Sequence, residues 1–206
     1  MDNQYDVIVV GLGAMGSAAS YQLAKSGSKV LGIDRYEPPH IYGSTHGDTR
    51  ITRLAIGEGA EYVPLVKRSH KLWKQIETES GYDLLEQCGA LIMGVHSNAG
   101  RHGVNEFLEQ TIKSANEYDI EHDELTTKQI DSRFPHFNLV GSEDGYYEPE
   151  AGFLRPEKCV QAQLELAKKH GANINTGGTV ISFEDNGDSV IVKTDKSVYS
   201  TKKLIL

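Results

Sequence analysis

Tyr5-Asp-Val-Ile-Val-Val10, Gly11-Leu-Gly-Ala-Met-Gly16, Ser17-Ala-Ala-Ser-Tyr-Gln-Leu-Ala-Lys-Ser26 and Gly27-Ser-Lys-Val-Leu-Gly-Ile-Asp34 follow one another without a break. The first run is short and apolar, as a strand covered on both faces is. Ser17 to Ser26 predicts a helix, with Ala18, Tyr21, Gln22 and Lys25 spread around it and Gly27 as its stop. Lys29 to Asp34 predicts a second strand, so the stretch reads as a βαβ unit. Gly11, Gly13 and Gly16 fall between strand and helix, the context that a dinucleotide turn requires. Gly11 permits the tight turn, Gly13 lets a pyrophosphate approach the backbone, and Gly16 lets helix and strand pack closely. The helix N-terminus offers free N–H donors and a partial positive charge to phosphates.

Asp34 ends the second strand, 18 residues after Gly16, where a carboxylate meets ribose hydroxyls and repels a 2′-phosphate. Ala14 and Met15 within the turn, and Arg35 after Asp34, join the candidate cofactor contacts. Arg35 reads either as a 2′-phosphate ligand or as a solvent-facing side chain. The plain alternative for the whole motif is a glycine turn in an ordinary βαβ unit with Asp34 solvated. The turn alone does not separate FAD from NAD, since both present an ADP half.

The rest of the composition narrows the class. Hydrophobic residues make up 38% and charged residues 24% of 206, a globular balance with length enough for a buried core. Net charge is -8, with no basic block to track phosphates, so neither nucleic acid nor an anionic membrane is an expected partner. The opening Met-Asp-Asn-Gln has no secretory n-region and h-region, and no apolar run nears the ~20 residues of a membrane span. A cytoplasmic location is therefore expected. Cys88 and Cys159 are too few for a disulfide framework. The histidines show no His-x-x-x-His spacing, Cys-x-x-Cys is absent, and no metal is expected.

Residues 35–60, with Pro38, Pro39 and several glycines, read as irregular, and such long irregular stretches are often functional. Helical periodicity returns over 61–80. Strands are expected at Leu84–Glu86, Ala90–Gly94 and Gly145–Glu148. Between them, a helix is marked by Val104, Phe107, Leu108, Ile112 and Ala115, and another runs from Thr126 to Arg133. Pro156 opens a further helix that closes at Lys168, Lys169, His170 and Gly171. Strands are then expected at Ile174–Asn175, Thr179–Glu184, Ser189–Thr194, Ser197–Ser200 and Lys203–Leu206, with a hairpin turn at Asp185–Asp188. The fold class is α/β: a Rossmann-like βαβ domain with a second α+β substrate layer. Residues 1–83 and 151–206 form the nucleotide-binding domain and 84–150 the substrate segment. The last strand reads as interrupted, so the chain is expected to be the N-terminal part of something longer.

The richest polar cluster is Ser44-Thr-His46-Gly-Asp48-Thr-Arg50-Ile-Thr-Arg53. Arginine's planar fork matches a carboxylate, so Arg50 and Arg53 could grip an amino acid. They could equally pair with Asp48, Glu58 or Glu61. The run Pro38-Pro-His40, Gly43-Ser44-x-His46-Gly-Asp-Thr-Arg50, Arg53, Gly57-Glu-Gly59 and Tyr62-Val-Pro64 resembles the monomeric sarcosine oxidase and N-methyltryptophan oxidase family. Glu148-Pro-x-x-Gly152 and Gly171-Ala172 extend the likeness through the chain.

The resemblance implies an oxidoreductase that holds FAD, oxidises a secondary amino acid and passes electrons to oxygen, giving hydrogen peroxide. It implies that Gly11 to Gly16 and Asp34 hold the ADP half and that Ser44, His46, Thr49 and Arg50 line the flavin. Arg53 would bind the substrate carboxylate, and Val180 would meet adenine through its backbone. It also favours a monomer. Thr45 stands where the family carries a second histidine, and Leu54 and Ile56 replace a histidine and an aromatic. The family's flavin-linking cysteine and two functional lysines come from a C-terminal half, and neither Cys88 nor Cys159 matches that cysteine. An NAD-dependent dehydrogenase and an inactive fragment are the alternatives.

Overall fold

In the computed structural model, which describes residues 3–95 and 106–206, the chain divides into two units. The first comprises residues 1–50, 75–84 and 155–206, and the second residues 51–74 and 85–154. Residues 51–74, expected with the nucleotide-binding portion, therefore belong to the second unit. Leu54, Ala55 and Val63 are buried in that unit's core with Ala115, Ile120 and Tyr146, which explains their allegiance.

The first unit is built on β1 (Gln4–Val10), α1 (Ala14–Lys25) and β2 (Val30–Asp34). Every residue of β2 is buried, as in a parallel strand covered on both faces. α1 starts three residues earlier than the periodicity suggests, because the glycine motif itself forms its first turn. It ends where Gly27 takes φ +89 and donates to Ala24, a left-handed stop. Gly171, at φ +90, closes α5 (Pro156–Lys169) in the same way. The two helices pack together, with Ser17, Ser20 and Ala24 of α1 and Cys159, Val160 and Gln163 of α5 buried. Gln163 Nε2 donates to the Cys159 carbonyl at 3.1 Å.

With β9 (Asn173–Thr176), β10 (Val180–Asp185), β11 (Val190–Thr194) and β12 (Val198–Ile205), the sheet has the order β10-β11-β12-β1-β2-β9. β12, β1, β2 and β9 are parallel, while β10, β11 and β12 form an antiparallel meander. β12 is one strand where the sequence suggests two. Val198 to Thr201 pair with β11 and Ser200 to Ile205 with β1, so Thr201 continues the ladder and is buried. Tyr5, Ile8, Leu31, Ile33 and Val192 form the core of this sheet.

The second unit contains most of β3 (Arg50–Thr52) and of α2 (Val63–Ser80), with β4 (Leu85–Glu86), β5 (Ala90–Val95), α3 (Phe107–Glu117), β6 (Asp123–Thr126), α4 (Thr127–Arg133), β7 (Glu143–Glu148) and β8 (Gly152–Leu154). They make two three-stranded sheets, β3-β8-β4 and β5-β7-β6. Of the residues expected to mark α3, Val104 lies outside the described residues. Three strands escape sequence reading. β3 interrupts the stretch expected to be irregular, β6 is mostly polar with only Leu125 buried, and β8 is three residues long. Gly152 is required there, because a Cβ would lie 1.8 Å from the Glu86 carbonyl oxygen. Thr126 and Gln129 cap α4 reciprocally, as a capping box does.

Among the described residues no helix is long and apolar enough to cross a membrane. Cys88 is exposed, whereas Cys159 is buried on α5 and its burial pushes the thiol up to about 12. Since the thiolate is the reactive species, iodoacetamide at mildly alkaline pH should label Cys88 alone. Mass spectrometry should find Cys159 modified only after denaturation, and labelling of Cys159 in the folded chain would contradict the packing of α1 on α5.

Candidate cofactor cleft and the arginine loop

The first unit carries a cleft of about 1030 Å³. This lies at the top of the roughly 300–1,000 Å³ range usual for ligand sites. Its walls are Gly11 to Gly16, Asp34 to Tyr36, Pro38 to His40, Gly43 to Thr45 and Gly178 to Val180, with Val160 and Leu206 among the apolar lining. Gly11 has φ +88, and its N–H donates to the Ile33 carbonyl at 2.8 Å. A Cβ on Gly16 would lie 1.7 Å from the Gly11 carbonyl oxygen, so turn and helix meet backbone to backbone. At Gly13 the protein leaves space: a Cβ there would meet Thr45 Oγ1 at 3.5 Å, an ordinary contact. The missing side chain of Gly13 thus serves what approaches from the cleft. Ala14 and Met15 are exposed at the helix N-terminus, where N–H groups without helical partners and the helix dipole favour phosphate.

Asp34 lies in the wall but is 7% exposed. Its Oδ2 accepts the Leu12 N–H at 2.7 Å, its Oδ1 accepts the Tyr36 N–H at 2.8 Å, and His40 Nε2 lies 3.3 Å from Oδ1. The carboxylate therefore ties the glycine turn to the segment after β2. Oδ2, with one partner, retains an acceptor site for a ribose hydroxyl. Arg35 also lines the cleft, with its guanidinium 5.4 Å from the centroid of the Tyr36 ring. Val180 lines the cleft from the start of β10.

The loop after Gly43 is held by polar contacts within the same unit. Thr45 Oγ1 accepts the Ala14 N–H at 3.2 Å, and an Arg50 terminal nitrogen donates to the Ser44 carbonyl. Glu157, in the first turn of α5, accepts the Gly47 N–H at 2.7 Å and the Asp48 N–H at 3.2 and 3.3 Å. Burial pushes the Glu157 carboxyl up. Bonds from main-chain N–H groups of Glu157, Gly47 and Asp48, with the charge of His46, outweigh this and hold it below its ordinary value. Ser44 and Thr45 belong to the cleft wall, whereas His46, Thr49 and Arg50 are not among its lining residues.

Arg53 lies in the second unit. One terminal nitrogen donates to both Glu58 oxygens, at 2.7 and 2.5 Å, and the guanidinium stands 5.6 Å from the Phe107 ring centroid. Of the three acids the sequence offers as partners, the structure selects Glu58. Just beyond, the fully buried Glu148 accepts the Leu54 N–H at 2.6 Å, the Ala55 N–H at 3.0 Å and the Tyr146 hydroxyl at 2.8 Å. Burial, then the Glu148 charge, pushes the Tyr146 phenol well above its ordinary value, so it stays a donor. Leu54 is directed into the core of this unit, and Ile56 packs against it. Thr45, Glu148 and Glu157 are the structural contacts that sequence reasoning does not assign. Only the acid at a helix start gave Glu157 any signal, and that pointed to the helix dipole.

Residues 6–206 match the FAD-dependent oxidoreductase family. The chain belongs to that family. Its likeness to monomeric sarcosine oxidase from Bacillus sp. (strain NS-129) is 41% identity over 206 residues, covering all of this chain and 52% of the relative. N-methyl-L-tryptophan oxidase from Yersinia pestis (strain Pestoides F) is 36% identical over 202 residues, 98% of this chain and 53% of that one. Among solved structures, the open form of NikD, an amino acid oxidase of nikkomycin biosynthesis, aligns with TM-score 0.84 and 27% identity, over 98% of this chain and 50% of that one. The chain spans about half the length of these curated relatives. Family membership decides for FAD over NAD, and the cleft fits it: an open helix N-terminus, a glycine with room for a phosphate and an acid at the end of β2.

Two glycine variants separate fold from ligand. Gly16→Ala should destabilise the chain by at least the roughly 1–3 kcal/mol of an overpacked site. Gly13→Ala should leave the melting temperature nearly unchanged while weakening FAD binding by about tenfold or more. Calorimetric melts and a fluorescence titration with FAD check both, and unimpaired FAD binding by Gly13→Ala would contradict the phosphate assignment.

Proposed function

We propose that the chain supplies the FAD cleft of an oxidase acting on a secondary, N-methyl amino acid with oxygen. The products are the demethylated amino acid, an aldehyde released when water hydrolyses the imine, and hydrogen peroxide. The observation that carries this reading is the likeness to sarcosine and N-methyltryptophan oxidases along the whole chain, arginine loop included. The likeness to monomeric sarcosine oxidase supports a monomer, and a net charge of -8 without a basic block speaks against nucleic acid or an anionic membrane as partner.

When bound, FAD supplies the two-electron chemistry, and the protein orients the substrate and tunes the cofactor. The turn from Gly11 to Gly16, with Gly13, Ala14 and Met15 at the start of α1, is proposed to seat the pyrophosphate, Asp34 to meet the adenosine ribose, with Arg35 beside it, and Val180 the adenine. Ser44, His46, Thr49 and Arg50 are proposed to border the flavin. There Arg50 and His46 would offer positive charge or hydrogen bonds where negative charge develops. Arg53 is proposed to bind the substrate carboxylate, which converts an orientational search into bound geometry. Its guanidinium already engages the carboxylate of Glu58, so the substrate would compete for that fork.

Purified protein loaded with FAD should show the two visible bands of oxidised flavin, and an N-methyl amino acid added without oxygen should bleach them. Arg53→Ala should raise KM about 30-fold or more, the loss expected for a charge-assisted contact of about 2–5 kcal/mol. A flavin that no secondary amino acid reduces would overturn the substrate class, and an unchanged KM in Arg53→Ala would overturn the role of that residue.

A further inference from the structure

Glu157 is 110 positions from Gly47 in the chain, yet its carboxylate receives two successive main-chain N–H groups of the arginine loop. Convergent successive N–H groups are how main chain binds an anion, and here the anion is a side chain of α5. The loop needs such a partner. Gly47 has φ +106, and Asp48, which is not glycine, has φ 67. A left-handed non-glycine residue persists where its surroundings over-determine it, and charge-assisted bonds supply that constraint. Arg50 closes the loop on itself through the Ser44 carbonyl, and Thr45 rests on the first N–H of α1. Of these contacts, the bonds to Glu157 are the ones that come from the chain's second half.

Glu157 is not among the residues lining the cleft. We propose that it is a positioning residue for the cofactor: it pins the Gly47–Asp48 turn to α5 and thereby sets Ser44 and Thr45 as a preformed cleft wall. This rests on the reading of the loop as part of the FAD site. A wall fixed in advance spares the ligand the cost of ordering it. FAD affinity should accordingly depend on a residue that the cofactor does not touch.

A purely structural role is separable, because Glu157 also sits favourably at the positive end of α5. Glu157→Asp keeps that charge at the helix start but loses a methylene of reach. Glu157→Gln keeps the reach and one acceptor but loses the charge. If Glu157 only stabilises α5, Asp restores wild-type behaviour and Gln does not. If it positions the loop, Gln restores more than Asp. The readouts in the 206-residue chain are amide hydrogen exchange at Gly47 and Asp48, without FAD, and the FAD dissociation constant.

The expected result is faster exchange at both amides and about tenfold weaker FAD binding in Glu157→Ala and Glu157→Asp, a smaller effect in Glu157→Gln, and unchanged exchange within α5. Wild-type exchange at Gly47 and Asp48 in Glu157→Ala would overturn the anchor. Equal FAD affinity in Glu157→Ala and wild type would overturn the positioning role. If the wild-type chain takes up no FAD while the exchange pattern is as expected, the cofactor reading of the loop falls and the positioning role with it.

Discussion

A carboxylate that accepts two main-chain N–H groups from a loop is the interaction on which the irregular half of this protein depends. Three such carboxylates hold irregular segments of the chain, two in the first unit and one in the second. Asp34 takes the N–H groups of Leu12 and Tyr36, Glu157 those of Gly47 and Asp48, and Glu148 those of Leu54 and Ala55. Between β2 and α2 the one strand is the three-residue β3, so most of the main chain there has no ladder to join. At Leu12, Leu54 and Ala55, which are buried, N–H groups left unpaired would cost as much as a lost hydrogen bond. Ionised acceptors answer that need with bonds stronger than neutral ones. Each also fixes where a segment lies: the glycine turn, the loop entering β3 and the turn after Arg53.

The βαβ unit was legible because its signals are local. A doubly buried strand, a glycine turn and a terminal acid are all set within 30 residues, and the glycines do there what their positions suggest. Gly16 brings two backbones together, and Gly11 turns with positive φ. Elements whose stability comes from distant partners were not legible. β3, β6 and β8 are short and carry little periodicity, and β12 looks broken in sequence because Thr201 is polar, although its side chain is buried. Residues 51–74 follow the first unit in sequence yet pack with the second, since their apolar side chains find Ala115, Ile120 and Tyr146.

The candidate site divides along the same line. Residue types in the loop announced anion chemistry, but not which anion each group meets. Arg53 meets Glu58, five positions away, while Arg50 turns to a carbonyl. The two acids that hold the segment in place stand 94 and 110 positions from it, a separation at which no spacing rule applies. Leu54, noted in the sequence as a departure from the family pattern, is a core residue. Beside the glycine turn stands Thr45, whose hydroxyl occupies the first N–H of α1.

The central claim is that FAD binds the cleft between the glycine turn, the end of β2, the arginine loop and the start of β10. Titrating isotope-labelled chain with FAD while following backbone amide resonances tests this most directly. Saturable shifts should concentrate at Gly13, Ala14, Arg35, Thr45 and Val180, while the amides of β5 and β7 stay in place. Shifts confined to other surfaces, or none at saturating FAD, would contradict the account.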